Sequence, residues 1–139
     1  KRVGKSFFTR ALADFLDADY IDTDDIIFEY TGLQSRDYYQ RVGEDMFREL
    51  EYEIIRTVSC NILSTGGGAI MHNGIREILK HHYHTIYIYI SCADWLNMMR
   101  GELYLDTLKS DKELIDLYHK RCKWYDFVSD TVLSSSNFR

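Results

Sequence analysis

A glycine, a lysine and a hydroxyl stand in succession as Gly4-Lys5-Ser6, where a helical pattern begins, and together they can hold a phosphate. They form the back half of the pattern G-x-x-x-x-G-K-[ST]. Gly4 lets the backbone approach phosphate oxygens, with Val3 just ahead of it, while helix-start N–H groups and the helix dipole favour an anion. Lys5 reaches toward the β- and γ-phosphates of a nucleotide, and the Ser6 hydroxyl is a ligand for Mg2+. The tripeptide by itself reads equally well as a lysine-rich helix start after a loop glycine. The first glycine of the full pattern would fall five residues before Gly4. The strand feeding such a loop is normally central and buried on both faces, so roughly ten further residues are expected ahead of Lys1 in the molecule that folds.

Two carboxylates follow. Asp22 and Asp24 close the short run Tyr20-Ile21-Asp22-Thr23-Asp24. The C-terminal ends of strands are where open α/β sheets bind ligands. A carboxylate placed there can orient an acceptor hydroxyl and take its proton. The plainer alternative is an N-cap run, with Asp25 capping the next helix. Glu51 lies three residues after Arg48 on one helix face and can hold that guanidinium in place, or the two form an exposed ion pair worth at most about 1 kcal/mol. Gly66-Gly67-Gly68 lets backbone N–H groups approach a ligand with no side chain between, or is simply a flexible turn. Arg121 stands beside Lys120 and Lys123 and also reads as a solvated helix residue. Tyr125 reads as packing.

The elements that must position these residues follow from periodicity. Helices are expected over 5–16, 25–30, 35–42, 44–59, 73–80, 93–99 and 112–125. In the first, Phe8, Leu12, Phe15 and Leu16 form an apolar stripe, and in the fourth Phe47, Leu50, Ile54, Ile55 and Val58 do so. Ser35 suits an N-cap, and Gly32 and Gly43 suit helix ends. Strands are expected at Tyr20-Ile21, 62–64, 85–90 and 131–133, the third marked by the alternation TIYIYI. Strands alternating with helices imply an α/β fold with a parallel sheet covered on both faces, in one domain.

Composition narrows the classes. The 139 residues carry a formal net charge of −5 with no basic stripe, which argues against nucleic-acid binding as the main task. No apolar run approaches the roughly 20 residues of a membrane helix. Three cysteines without close spacing fit buried free thiols in a reducing cytoplasm. His81, His82 and His84 do not share a helix face and lack completing ligands, so a solvated loop is expected there rather than a metal site.

Four motifs in order after Gly4-Lys5-Ser6 resemble those of the shikimate kinases. Asp22-Thr23-Asp24 resembles the family's D-T-D, and Gly43-Glu44-Asp45-Met46-Phe47-Arg48-Glu49-Leu50-Glu51 its G-E-x-x-F-R-x-x-E. Ser64-Thr65-Gly66-Gly67-Gly68 is similar to its triglycine loop, and Arg121-Cys122-Lys123-Trp124-Tyr125 to its R-x-x-x-Y. The likeness runs from Val3 to Arg139. It implies a three-layer P-loop kinase fold with a central five-stranded parallel sheet. It also implies transfer of the γ-phosphoryl group of ATP to the 3-hydroxyl of shikimate, with Mg2+, by a cytoplasmic monomer.

By the same resemblance Asp24 contacts the shikimate hydroxyls and is the base, while Asp22 holds magnesium through water. Arg48 and Arg121 take the shikimate carboxylate as guanidinium forks, and Gly66, Gly67 and Gly68 approach the substrate. Arg139 falls near the family's adenine-contacting arginine. The family's lid carries R-P-L-L with a catalytic arginine, but this sequence has no proline. A lid is expected around residues 99–111, with Arg100 its candidate arginine; a helix C-terminal cation is the plainer reading of Arg100. Two other functions remain open on sequence: a different small-metabolite kinase of this fold, such as a gluconate kinase, and a non-catalytic binding module.

Overall fold

A computed structural model describes residues 4–100 and 110–138. Val3, Arg139 and the middle of the expected lid lie outside the described residues. The element order is α1 (Lys5–Leu16), β1 (Tyr20–Asp22), α2 (Thr23–Thr31), α3 (Ser35–Val42), α4 (Glu44–Thr57) and β2 (Ile62–Ser64). A 3-10 turn (Ala69–Met71) follows, then α5 (Asn73–His82), β3 (Ile86–Tyr89), α6 (Cys92–Met99), α7 (Asp111–Val128), β4 (Thr131–Ser134) and a second 3-10 turn (Ser135–Phe138).

Both described strand pairs are parallel, as expected of alternating strands and helices. β1 pairs with β2 in the register Tyr20↔Ile62, Ile21↔Leu63 and Asp22↔Ser64. β3 pairs with β4, from Ile86↔Thr131 to Tyr89↔Ser134. The described strands thus form two parallel pairs rather than one continuous five-stranded sheet. Between β2 and β3 lies a cavity of about 410 Å3, walled by Leu63, Ile86 and Ile88 from the strands and by Phe8, Leu12 and Leu16 of α1.

That cavity explains how the apolar stripe of α1 is used. Phe8, Leu12 and Leu16 face it, whereas Phe15 is 87% exposed and the fully covered positions are Thr9 and Ala13. Three apolar clusters hold the rest. Ile27, Phe47 and Ile54 join α2 to α4. Ile55, Ile70, Ile75, Leu79 and Val128 lock α4, α5 and α7 around the first 3-10 turn. Ile90, Trp95, Leu114 and Tyr118 seat α6 on α7.

Local chemistry sets the boundaries. α2 begins at Thr23, earlier than periodicity suggested, because the Asp22 carboxylate accepts the Asp24 N–H at 2.9 Å and caps the helix; Asp25 is not the cap. Gln34, not Ser35, precedes α3 as its N-cap residue. α7 starts in a capping box, with the Ser110 hydroxyl accepting from the Glu113 N–H and the Glu113 carboxylate accepting from the Ser110 N–H.

Gly43 ends α3 and starts α4 at φ 85° and ψ 171°, a region open essentially to glycine alone. Nothing lies within 4 Å of where its Cβ would be, so a substitution there is resisted by backbone strain and not by crowding. Gly43→Ala is therefore expected to destabilise the fold by about 1–3 kcal/mol, measured by urea unfolding with an unchanged m-value.

Candidate active site

The ends of β1 and β2, the start of α1, and single faces of α4 and α7 deliver the chemically capable side chains to one place. Gly4 has φ 87° and precedes α1, and Lys5 is the first residue of that helix. Its ammonium donates to the Thr65 carbonyl at 2.9 Å and stands 3.7 Å from the Asp22 carboxylate. The lysine of the phosphate loop and the first aspartate of the acidic pair therefore meet the loop that follows β2. Ser6 lies beside Lys5 in the first turn and is half-buried.

Arg48 and Glu51 form the centre of the site. Arg48 Nη1 donates to Glu51 Oε2 at 2.5 Å, with side-chain exposures of 12% and 1%. That burial rules out the exposed-pair reading. The guanidinium is also held 3.9 Å from Glu44 and over the rings of Phe47 and Tyr39, at 5.2 and 5.9 Å. Burial pushes the Glu51 carboxyl above its usual range, and the adjacent Arg48 charge and hydrogen bond pull it back. Glu51 also feels Asp24, which raises it, and Arg121, which lowers it. Asp24, Arg48 and Arg121, far apart in sequence, thus lie within electrostatic reach of one buried carboxylate.

The glycine loop is bounded closely by charged and polar side chains, tightly at 66 and 68 and with ordinary contact at 67. A methyl group at position 68 would overlap the Arg48 guanidinium. One at 66 would come to 3.0 Å from Glu51 Oε1, and one at 67 to 3.4 Å from the Tyr125 hydroxyl and 3.8 Å from Arg121. The loop lies directly on the cationic cluster, so the flexible-turn reading gives way to close approach. Arg121 and Tyr125, one turn apart on α7, close the other side. With Lys5, Thr65, Gly66 and Gly67 they line a cavity of about 250 Å3. Among the described residues, Arg48 Nε and Arg121 Nε are buried with no hydrogen-bond partner. Arg121 lines that cavity, and an orphaned guanidinium donor there suits an anion.

Tyr125 does more than sequence reasoning assigned to it. Its hydroxyl donates to the Gly67 carbonyl and pins the glycine loop to α7. Burial pushes the pKa of the Tyr125 hydroxyl above its ordinary value against the opposing pull of Arg121, so the hydroxyl stays a neutral donor. An aromatic four residues after an arginine on one helix face was the available signal. Arg100 is not brought into this cluster. It caps α6 and pairs at the surface with Asp111 at 3.0 Å and Asn97 at 3.4 Å, which matches the helix-terminal cation reading. His81, His82 and His84 are exposed, and the described residues include no group of three or more His, Cys, Asp or Glu side chains arranged for a metal.

Parallel strand pairs, a lysine and serine at a glycine-led helix start, and an acidic strand end define a P-loop kinase fold. The comparisons agree. A family model described as shikimate kinase matches residues 2–139. A shikimate kinase of Clostridium botulinum is 33% identical over 143 residues, spanning 97% of this chain and 83% of the relative. One from Enterococcus faecalis is 29% identical over 140 residues, spanning 96% and 83%. Among solved structures, a shikimate kinase from Acinetobacter baumannii in complex with shikimate aligns with a TM-score of 0.81 at 27% identity, covering 94% of this chain and 76% of that one. A shikimate kinase from Bacteroides thetaiotaomicron aligns at 0.76 and 26% identity, covering 96% and 80%. The chain belongs to the shikimate kinase family.

Because the Arg48 guanidinium occupies the space a side chain at 68 would need, Gly68→Ala is expected to displace it. Binding of a carboxylate ligand should weaken by about tenfold or more, the value of a charge-assisted hydrogen bond. Isothermal titration checks this; an unchanged affinity would mean the arginine and the loop are not coupled.

Proposed function

We propose that this chain is a shikimate kinase, moving the γ-phosphoryl group of ATP to the 3-hydroxyl of shikimate to give shikimate 3-phosphate and ADP, on the route to aromatic amino acids. The observation that carries the reading is that Arg48 with its partner Glu51, and Arg121, border the one glycine loop whose Thr65 carbonyl receives Lys5, with Asp24 near enough to act on Glu51 electrostatically. One acid and two guanidinium groups suit an acceptor bearing both a hydroxyl and a carboxylate. A gluconate kinase would share the phosphate loop but gives no reason for this full set.

Each residue then has a task. Lys5 leaves the Thr65 carbonyl for the β- and γ-phosphates, where its charge offsets charge developing in the transition state. Asp24 orients the acceptor hydroxyl and takes its proton. Arg48, braced by Glu51, and Arg121 clamp the carboxylate as forks, while Gly66, Gly67 and Gly68 let the substrate lie against the backbone. Val3, Gly4 and Ser6 complete the nucleotide loop, and Arg139 contacts adenine. The lid spans about 99–111 and carries Arg100 toward the phosphates when it closes, excluding water.

Magnesium fits the residues present. Ser6 and Asp22 offer hard oxygen donors, and the buried Ser64 hydroxyl, register partner of Asp22, has no hydrogen-bond partner among the described residues. Ser6 would hold the ion directly and Asp22 through water. Bound with ATP, it supplies charge neutralisation at the β- and γ-oxygens. ATP and shikimate are the proposed partners, and a cytoplasmic monomer is the proposed setting.

The finer fold assignment is a five-stranded central sheet with a layer of helices on each face. Support comes from the apolar cavity that β2 and β3 share: it has the surroundings of one more parallel strand entering the loop at Gly4. In protein carrying a strand-and-loop segment ahead of Lys1, the amides of β2 and β3 are expected to become strongly protected from hydrogen exchange. Equal exchange with and without that segment would remove the fifth strand.

The activity is tested by ADP release with shikimate and, separately, with gluconate. Turnover is expected with shikimate alone. Asp24→Asn is expected to lower kcat by about 10²–10⁴, the usual worth of a positioned base, while ATP affinity stays near that of the parent. Release of ADP with gluconate and none with shikimate would refute the assignment.

A further inference from the structure

Ser35 is the first residue of α3, where a serine ordinarily turns its hydroxyl to a nearby backbone N–H. Its hydroxyl instead crosses to Asp24 and stands 2.7 Å from Oδ1. An ionised carboxylate only accepts, so Ser35 donates. The Asp24 backbone N–H is meanwhile bound by Asp22, whose other oxygen faces Lys5. A chain of contacts therefore runs from Lys5 through Asp22 and Asp24 to Ser35, joining the phosphate side of the site to α3. Both Asp24 and Ser35 are half-buried, so this hydrogen bond is only partly screened by water.

We infer that Ser35 is a positioning residue for the reaction: its hydroxyl engages one oxygen of Asp24 and leaves the other directed to the acceptor hydroxyl. The inference rests on Asp24 acting as the base. An aspartate free to turn about its side-chain torsions would spend part of its time with neither oxygen in line, and misplacement of a reacting group by about 1 Å can cost 10²-fold in rate. A charge-assisted bond from a fixed helix terminus removes that freedom. Because α2 and α3 are joined only through residues 32–34, the same bond also fixes the start of α3 against α2.

Steady-state kinetics test this with three variants. Ser35→Ala is expected to lower kcat by about tenfold to a hundredfold, the worth of a hydrogen bond to a charged group, with KM for ATP changed by less than about twofold. Ser35→Cys keeps the volume but donates weakly, so it should fall similarly. Ser35→Thr keeps the hydroxyl and should stay within about threefold of the parent, a margin below one such bond. Should the alanine variant fail to fold, the cysteine and threonine pair decides alone. If Ala or Cys unfolds at a lower temperature yet keeps the parental kcat, the serine only supports structure and the inference is overturned. The Asp24→Asn control separates the two failures. Full turnover there removes the base assignment itself, whereas an inactive Asp24→Asn beside a fully active Ser35→Cys removes the role of Ser35 alone.

Discussion

The buried pair between Arg48 and Glu51 constrains almost everything around it. Taking both charges out of water costs several kcal/mol per ion, and the pair recovers this only with close geometry. The structure supplies it by setting the two residues three apart on α4 and covering them with the loop after β2. The covering demands glycine at 68, because the guanidinium already fills the space, and a small residue at 66, because a Glu51 oxygen lies close. The position of α4 against the glycine loop is therefore fixed by electrostatics as much as by apolar contact. The Nε of Arg48 is buried 3.9 Å from Glu44, with no hydrogen-bond partner among the described residues.

A second helix completes the arrangement from the opposite side. Arg121 and Tyr125 share one face of α7, and the tyrosine hydroxyl holds the Gly67 carbonyl while the arginine lines the cavity. The loop is thus gripped by α4 through charge and by α7 through a neutral hydrogen bond. The acidic pair enters from β1, where Asp22 serves as both helix cap and neighbour of Lys5. Cap formation and site formation are one event here: the turn that starts α2 also sets Asp24.

Several sequence expectations met the structure unchanged, and the exceptions have physical reasons. The extents of α1 and β2 and the helix end at Gly32 were legible because periodicity and glycine chemistry act locally. Phe15 was assigned to the apolar face of α1 yet is exposed, since periodicity gives a stripe but not its edges. Ser35 was assigned a local backbone partner, but its hydroxyl goes to a carboxylate eleven residues away. The pairing of Arg100, at the end of α6, with Asp111, at the start of α7, was not legible because it joins two elements.

By itself, the sequence determined which residues are present to do chemistry and the order in which they come: the phosphate-loop residues, the two aspartates, the arginine with its glutamate, the glycines and the later arginine. It also determined the alternation of strands and helices, since residue spacing and turn chemistry are local properties. Only the tertiary structure decided that Glu51 is buried rather than solvated, that the glycine loop lies against guanidinium groups, and that the Tyr125 and Ser35 hydroxyls reach the Gly67 carbonyl and the Asp24 carboxylate. Those outcomes depend on the distances and the loss of water created when separate elements meet, and neither is written in the spacing of residues along one element.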